Sequence, residues 1–183
     1  MAQWIVSCPF YSDGIFMEAD MAESSTQIHE FEPVYNEQSE ILILGTFPSV
    51  KSREQGFFYG HPQNRFWKVI AGLTDSSVPN SVEEKKRLLL KNKIAVWDVI
   101  AKCDITGSSD SSIKNVIPAD IAGIIQGSRI KRIYANGNMA KKLYDKYILP
   151  TLHMEIIGLP STSPANATYS LEKLIQIWRE AGV

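Results

Sequence analysis

One long loop of this 183-residue chain holds many of the side chains that could do chemistry. The stretch GTFPSVKSREQGFFYGHPQNRFW, residues 45–67, places three aromatic residues in a row among glycines, prolines, hydroxyls and cations. Aromatic rings stack on nucleic-acid bases for about 1–3 kcal/mol per base, and hydroxyl groups bind phosphate oxygens. Because loops held by a rigid scaffold often carry function, this composition favours a site that binds a base and its phosphates.

A second loop, LPSTSPAN at residues 159–166, is rich in serine and proline. Small loops stiffened by proline can press into a duplex. An enzyme that acts on a base must take that base out of the stack and hold it in a pocket. The two loops together therefore indicate a protein that handles nucleic acid.

The motifs give little support to other kinds of site. The chain lacks both G-x-x-x-x-G-K-[ST] and G-x-G-x-x-G, which argues against a nucleotide-cofactor site. It has no G-x-S-x-G elbow, and the three histidines give little support for a catalytic triad. Cys8 and Cys103 lack metal-ligand spacing, and no His, Asp or Glu cluster has it either. We expect two free thiols and neither a metal ion nor an organic cofactor.

The charge of the chain is unevenly distributed. The net charge is −1, but residues 1–40 hold eight acidic and no basic residues, which leaves 19 basic against 12 acidic residues, a net of +7, in the rest. A basic body attracts phosphates, because neutralising them releases counterions. No apolar run approaches the ~20 residues that a bilayer span needs, and the N-terminus lacks the basic start of a secretory signal. We expect a cytoplasmic protein without a membrane partner.

Alternating strands and helices have to position the two loops. Short apolar runs predict buried parallel strands at residues 41–44, 94–100, 132–135 and 153–159. Helical character predicts helices at residues 64–73, 82–92, 118–126, 139–147 and 168–181. The alternation predicts the α/β class, with a single three-layer α/β/α domain around a central, mainly parallel four-stranded sheet. Ligands bind beyond the carboxyl ends of such strands, so the loops should meet in one crevice.

The domain is expected to span residues 29–183. Residues 1–28 show no sustained periodicity and are predicted to form a flexible N-terminal extension.

The two loops resemble the motifs of a known group of enzymes. LGTFPSVKSREQGFFYGHPQNRFWKVI together with LPSTSPAN is similar to the uracil-DNA glycosylase superfamily, and most of all to its hypoxanthine-DNA (DNA-deoxyinosine) glycosylase family. The resemblance runs from about residue 29 to the C-terminus and includes IAVWDVI, GSSDSSI and the ANG turn. It implies a uracil-DNA glycosylase-like fold and a monofunctional enzyme of base-excision repair. Such an enzyme hydrolyses the bond between base and deoxyribose in damaged DNA without a cofactor, and we expect it to be a monomer.

The resemblance also implies the catalytic residues. In superfamily members, the loop after the first strand often carries an Asp or Asn that positions the attacking water, but this chain has Thr46 and Phe47 there. The catalytic amide of the closer family matches Asn64, and His61 in the same motif could donate to the leaving base. An amide can orient water through its oxygen or bind the departing base through its NH2 group. The departure at Thr46 favours deaminated adenine over uracil.

Further residues are expected to bind the base or the DNA. Tyr59 matches the superfamily position whose ring stacks on the flipped base. The loop LPSTSPAN matches the segment that enters the minor groove and fills the gap left by the flipped nucleotide. The base-binding candidates are Thr46, Phe47, Phe58, Tyr59 and Gly60. The DNA-binding candidates are Ser49, Ser52, Arg53, Ser161, Thr162, Ser163 and Asn166.

Several alternatives stay open at this point. Asn64 could simply cap the helix that follows it, since Asn is a favoured N-cap. Asp98 and Asp104 could be acid/base carboxylates or structural residues at strand ends. The substrate could be uracil or another damaged base, and a protein of another class, a non-catalytic DNA-binding module, could have the same fold.

Overall fold

The computed structural model describes residues 24–183. Residues 1–23 of the predicted extension, which include Cys8, lie outside the described residues. The strands are β1 Ser25–Ile28, β2 Ile41–Gly45, β3 Ile94–Asp98, β4 Ile100–Ile105, β5 Lys114–Pro118, β6 Arg132–Asn136 and β7 Ile156–Leu159. The helices are α1 Val50–Gln55, α2 Phe66–Leu73, α3 Val82–Lys91, α4 Ile121–Gln126, α5 Asn138–Tyr147, α6 Leu149–Leu152 and α7 Leu171–Glu180, and Asp110–Ser112 forms one 3-10 turn.

A parallel four-stranded sheet with the order β3–β2–β6–β7 forms the centre of the molecule, as the sequence predicts. Every residue of β2 is buried, because helices cover both faces of the sheet. Ile41 and Ile43 pack in one core with α2, α3 and α7. Leu42 and Leu44 point the other way and pack in a second core with α4 and α5. The predicted α/β class and three-layer arrangement are therefore confirmed.

A second, antiparallel sheet with the order β1–β4–β5 was not predicted. The apolar run 94–100 reads as one strand, but the chain leaves the central sheet at Val99, whose N–H donates to the carbonyl of Gly45. The strand that follows, β4, then pairs with β1 and β5. Both edge strands are largely exposed and therefore lack a run of apolar residues that would predict them.

The small sheet changes how the beginning of the domain is described. Ser25–Ile28, the last residues of the predicted extension, pair with β4 and so belong to the folded domain.

Cys103 on β4 is a free, buried cysteine, and burial raises the pKa of its thiol to about 11. None of the helices within residues 24–183 has the length and apolar character that a membrane crossing requires.

Candidate active site

A cavity of about 560 Å³ opens at the carboxyl ends of β2, β3 and β6. Its wall combines the loop after β2, the 3-10 turn after β4, the end of β6 and the loop after β7, which is the crevice that parallel topology predicts. Most of the predicted site residues line this cavity. They are Thr46, Phe47, Ser49, Ser52, Phe58, Tyr59, His61, Asn64, Ser161 and Ser163.

The beginning of the cavity wall depends on close packing at Gly45. A Cβ atom at Gly45 would lie 2.2 Å from Oδ1 of Asp98 and 3.3 Å from the hydroxyl of Tyr59. Only glycine therefore lets β2 end against these two polar groups. Asp98 and Tyr59 meet at this end of the cavity as a result.

Hydroxyl groups inside the loop hold its shape. Ser49 caps α1, because its side chain accepts from the backbone N–H of Ser52. The hydroxyl of Ser52 in turn accepts from the N–H of Gly60 at 3.0 Å, and Ser52 is buried. Gly60 is buried as well, with no room for a side chain beside Gln55 and the carbonyl of Lys51. Ser52 and Gly60 are therefore buried residues that hold the shape of the loop, and neither presents an exposed polar group.

Arg53, a predicted DNA-binding residue, joins two loops of the protein. Its guanidinium donates to the carbonyl of Pro48 at 2.7 Å and to the carbonyl of Gly107 at 3.4 Å. It also lies 5.9 Å from the ring centre of Phe47. The side chain is half-buried, so its main contacts fix the loop after β2 against the loop after β4.

Asn64 is held by a chain of hydrogen bonds that sequence reasoning did not identify. Its Oδ1 accepts from the N–H of Phe66 and from the hydroxyl of Thr162, both at 3.0 Å. Thr162 is fully buried, and its hydroxyl and N–H bond to the amide of Asn136 at 2.9 Å each. Asn64 thus supports the start of α2 from the position before the N-cap residue, Arg65, rather than as the N-cap itself. It is also fixed to Asn136 at the end of β6 through Thr162 in the loop after β7.

The same hydrogen bonds fix which way the Asn64 amide points. A backbone N–H can only donate, so the atom facing Phe66 has to be the amide oxygen. The hydroxyl of Thr162 accepts a hydrogen bond from the NH2 group of Asn136 and donates one to Asn64, which occupies the second lone pair of that oxygen. No group within residues 24–183 accepts a hydrogen bond from Asn64 Nδ2. The free functional group of Asn64 is therefore its NH2 donor.

His61 has a defined donor as well. Its Nδ1 accepts from the backbone N–H of Gln63 at 3.2 Å. In the neutral imidazole, the proton then resides on Nε2. Because His61 lines the cavity, the ring can supply a second N–H donor there.

Tyr59 offers both a ring and a hydroxyl to the cavity. Its backbone has a φ of 52°, an unusual conformation for a bulky residue, and its ring stacks on Phe66 with centroids 3.8 Å apart. The hydroxyl is buried and has no hydrogen-bond partner within the described part of the chain. Burial raises the pKa of Tyr59 far above its usual value, and the charge of Asp98 adds to this rise, while the Asn136 amide opposes it. The hydroxyl therefore remains protonated.

Two carboxylates approach the cavity, and sequence reasoning singled out only one of them. Asp98 is buried, and its Oδ2 lies 3.0 Å from Nε2 of His29, which packs against the ring of Trp97. The second carboxylate, Asp110, lies in the polar stretch GSSDSS, where its sequence neighbours give no sign of a role. Its Oδ2 accepts a hydrogen bond from the hydroxyl of Thr46 at 3.1 Å. Partial desolvation raises the pKa of Asp110, the Thr46 hydrogen bond opposes this, and the charge of Asp98 adds to it.

Asp104 lies outside this group. It accepts hydrogen bonds from Thr26 and Asn115 on the antiparallel sheet, each at 2.5 Å, and it does not line the cavity. The structural alternative therefore describes Asp104. Within residues 24–183, no three His, Cys, Asp or Glu side chains are grouped so that they could hold a metal ion.

The loop after β7 is held by Arg65, a residue that the motif contains but that sequence reasoning passed over. Its guanidinium donates to the carbonyls of Ser163 at 3.0 Å, Asn166 at 2.7 Å and Tyr169. Its backbone N–H also donates to the carbonyl of Thr162 at 3.0 Å. The first loop therefore fixes the path of the second one.

The predicted DNA contacts of the second loop separate into two groups. Ser161, Ser163 and Asn166 are partly exposed and line a neighbouring cavity of about 650 Å³. The residues that line both cavities are Thr46, Asp110, Asn136, Ser161, Ser163 and Ala165. Thr162 does not fit the prediction of a DNA contact, because it is 0% exposed and its polar groups are bonded inside the protein. A sequence pattern cannot distinguish this threonine from its exposed serine neighbours.

Comparisons with known proteins identify the family and the fold of this chain. Residues 32–182 match the model of the uracil DNA glycosylase superfamily. A relative named hypoxanthine DNA glycosylase from Methanosarcina acetivorans is 34% identical over 142 residues, which cover 76% of this chain and 89% of the relative. A relative of the same name from Methanosarcina barkeri is 38% identical over 159 residues, 82% of this chain and 95% of the relative. The solution NMR structure of a candidate uracil DNA glycosylase from Methanosarcina acetivorans has a TM-score of 0.69 at 31% identity and covers 82% of this chain and 95% of that chain.

Proposed function

Because this chain belongs to the uracil DNA glycosylase superfamily, we propose that it removes hypoxanthine from deoxyinosine in DNA by hydrolysing the N-glycosidic bond. The fold expected from the resemblance is confirmed by the structural relative. The two relatives named hypoxanthine DNA glycosylase support the choice of base, and both are similar over most of their length.

The orientation of Asn64 is the observation that carries the proposal. Cleavage of the bond to the sugar leaves its electron pair on the departing base. A purine base with this extra charge accepts hydrogen bonds at its ring nitrogens and at its carbonyl oxygen. The Asn64 NH2 group and the Nε2–H of His61 are free donors at one cavity. We propose that the buried Tyr59 hydroxyl, which is unpaired among the described residues, donates to the base once it is bound. Donors that are already in place stabilise such charge without reorganising during the reaction.

The cavity also has the size and lining that a flipped purine needs. Its volume of about 560 Å³ falls within the range of sites for small ligands. The aromatic residues Phe47, Phe58 and Tyr59 line it, and such rings hold a base by stacking. The first two residues of the loop after β2, Thr46 and Phe47, carry no carboxylate or amide, which favours hypoxanthine over uracil as the preferred base.

The second loop is suited to hold DNA beside the cavity. Ser161, Ser163 and Asn166 carry polar groups at a partly exposed surface that continues from the cavity. We propose that these residues contact the DNA backbone or the gap left by the flipped nucleotide. We also propose that the enzyme works as a monomer. A cytoplasmic location remains a prediction from the sequence.

Cleavage of defined duplexes tests the proposed function. One labelled duplex carries a single deoxyinosine and a matched duplex carries uracil, and hot alkali breaks the strand wherever a base has been removed. We expect the wild-type protein to cut mainly at deoxyinosine. Cutting mainly at uracil would instead favour the uracil alternative, and salt-dependent DNA binding without any abasic product would favour a binding module.

Replacing Asn64 by aspartate separates catalysis from the support of α2. The carboxylate of Asn64→Asp still accepts from the N–H of Phe66, but it has no NH2 donor and adds negative charge next to the departing base. We expect the single-turnover rate on deoxyinosine to fall by about 10²-fold or more, because one preorganised donor is worth roughly this amount. The melting temperature should change little, and a wild-type rate would remove Asn64 from the mechanism.

A further inference from the structure

We infer that Asp110 is the carboxylate that positions the attacking water and accepts its proton. This inference rests on the proposed function, since it concerns the same hydrolysis. Asp110 lies in the 3-10 turn after β4, within GSSDSSI and outside the two long motif loops.

The first reason is that Asn64 cannot take this role through its oxygen. Both lone pairs of Oδ1 are used, one by the N–H of Phe66 and one by the hydroxyl of Thr162. A water molecule that attacks the sugar must donate a hydrogen bond to an acceptor. The NH2 group of Asn64 can only donate, so the acceptor has to be another group that lines the cavity.

The second reason is the position of Asp110. Its Oδ2 is fixed by the hydroxyl of Thr46, and its Oδ1 has no hydrogen-bond partner among residues 24–183. The side chain is exposed to solvent and lines both cavities, so water reaches it at the place where the two cavities join. One oxygen therefore holds the orientation of the carboxylate while the other is free to bind water.

Asp98, the other carboxylate of the cavity, fits this role less well. Its Oδ2 is paired with His29, and its side chain is only 6% exposed. It lies at the closed end of the cavity, against Gly45 and the Tyr59 hydroxyl. A catalytic water has to be replaced from solvent after every turnover, which Asp110 permits and Asp98 restricts.

The chemistry of the step balances with these groups. The water oxygen forms a bond to C1′ of the deoxyribose, and the bond from C1′ to N9 breaks with its electron pair going to hypoxanthine. One water proton passes to Asp110, which later returns it to solvent. The departing base gains a proton from solvent, while the Nε2–H of His61 donates a hydrogen bond to it. The negative charge of Asp110 also stabilises the positive charge that develops on the sugar.

The test compares Asp110→Asn with Ser112→Ala in single-turnover cleavage of the deoxyinosine duplex. An asparagine oxygen still accepts from Thr46, so Asp110→Asn keeps the loop in place but removes the proton acceptor. Ser112 bonds to Thr106 and Ser109 within the same turn, so Ser112→Ala loosens the loop but keeps the carboxylate. We expect the rate to fall about 10²–10⁴-fold in Asp110→Asn, the range of general-base catalysis, and less than about 5-fold in Ser112→Ala.

The pH dependence of the rate distinguishes a proton acceptor from a loop anchor. The wild-type rate should fall as the pH drops through the pKa of Asp110, because the protonated carboxyl cannot accept a proton. Desolvation raises that pKa above the usual aspartate value, which brings the fall closer to neutral pH. In Asp110→Asn this acidic limb should be absent. The other titratable or charged groups that face the cavity or its loops are Lys51, Arg53, Tyr59, His61, Asp98 with His29, and Cys103.

Each outcome bears on one of the two proposals. A wild-type protein that does not cut deoxyinosine contradicts the proposed function itself. A cutting wild type, together with an Asp110→Asn variant that keeps its rate and its acidic limb, overturns the role of Asp110 and leaves the function standing. An equal loss of rate in both variants would reduce Asp110 to a loop anchor. Loss of the acidic limb in Asp98→Asn alone would assign the water to Asp98.

Discussion

Replacing Thr162 by valine removes one hydroxyl from the middle of the hydrogen-bond chain that orients Asn64. Valine has nearly the same shape as threonine, so the packing of the buried side chain is preserved. The hydroxyl accepts from Asn136 and donates to Asn64, and both bonds disappear. The NH2 group of Asn136 then stays buried without a partner, while Asn64 loses the contact that fills its second lone pair.

The structure sets the size of the two expected effects. A buried donor without a partner costs about 1–3 kcal/mol, so the free energy of unfolding should fall by roughly that amount. For a chain of this length, this corresponds to a melting temperature lower by roughly 2–12 °C. In Thr162→Val the Asn64 oxygen keeps only the hydrogen bond from the N–H of Phe66. The amide can then rotate, and we expect the single-turnover rate on deoxyinosine to fall by roughly 10-fold or more.

The matched control is Thr162→Ser. Serine keeps the hydroxyl and loses one methyl group, which costs about 1 kcal/mol of stability. Its rate at saturating enzyme should stay within about 3-fold of wild type, although its melting temperature also falls. Thermal unfolding and single-turnover cleavage are measured for all three proteins. The reasoning is refuted if Thr162→Val cuts deoxyinosine as fast as Thr162→Ser, because the hydroxyl would then have no part in orienting Asn64.

Two further changes test other parts of the site. Arg65→Lys keeps the positive charge, but a lysine cannot reach the three carbonyls of Ser163, Asn166 and Tyr169 together, so the second loop should loosen. We expect weaker binding to a deoxyinosine duplex and a lower melting temperature. Unchanged binding would mean that the loop keeps its path without Arg65. Tyr59→Phe removes a buried hydroxyl that has no hydrogen-bond partner among residues 24–183. The free energy of unfolding, measured by thermal unfolding, should therefore rise by up to about 1 kcal/mol, while excision of the base slows. A variant that is less stable and fully active would show that the hydroxyl is hydrogen-bonded and is not used in the reaction.

The central sheet could be predicted because its strands are covered on both faces. Residues Ile41 to Leu44 are uniformly apolar for this reason, and parallel topology then brings the following loops together. The strands β1 and β5 could not be predicted, because they lie at the edges of a small exposed sheet and carry mixed polar residues. A run of apolar residues therefore predicts the strands that are buried, and gives no signal for strands that are exposed to water.

The site was predicted unevenly for a similar reason. Asn64, His61 and Tyr59 fall in one motif of unusual composition, and the structure places all three around one cavity. The roles of Thr162 and Arg65 depend on contacts about 100 residues apart along the chain, which spacing cannot reveal. Asp110 looks like any carboxylate in a polar loop until Thr46 is seen beside it.

The contacts of Arg65 have a consequence for how this enzyme could diversify. Its guanidinium binds only main-chain carbonyls of the second loop, which are present whatever the side chains are. The side chains of Ser163 and Asn166 also bond to the backbone of the loop, at Ala165 and Ser161. The exposed side chains of Ala165, Ala167 and Thr168 make no such bond within the described part of the chain and could therefore be exchanged for others while the loop kept its path. Mutation could thus alter the preference for sequence context or for the opposite base without disturbing the machinery around Asn64. The side chains of the loop can thus vary while Arg65 holds its backbone, and a library varied at these positions is a direct route to altered specificity.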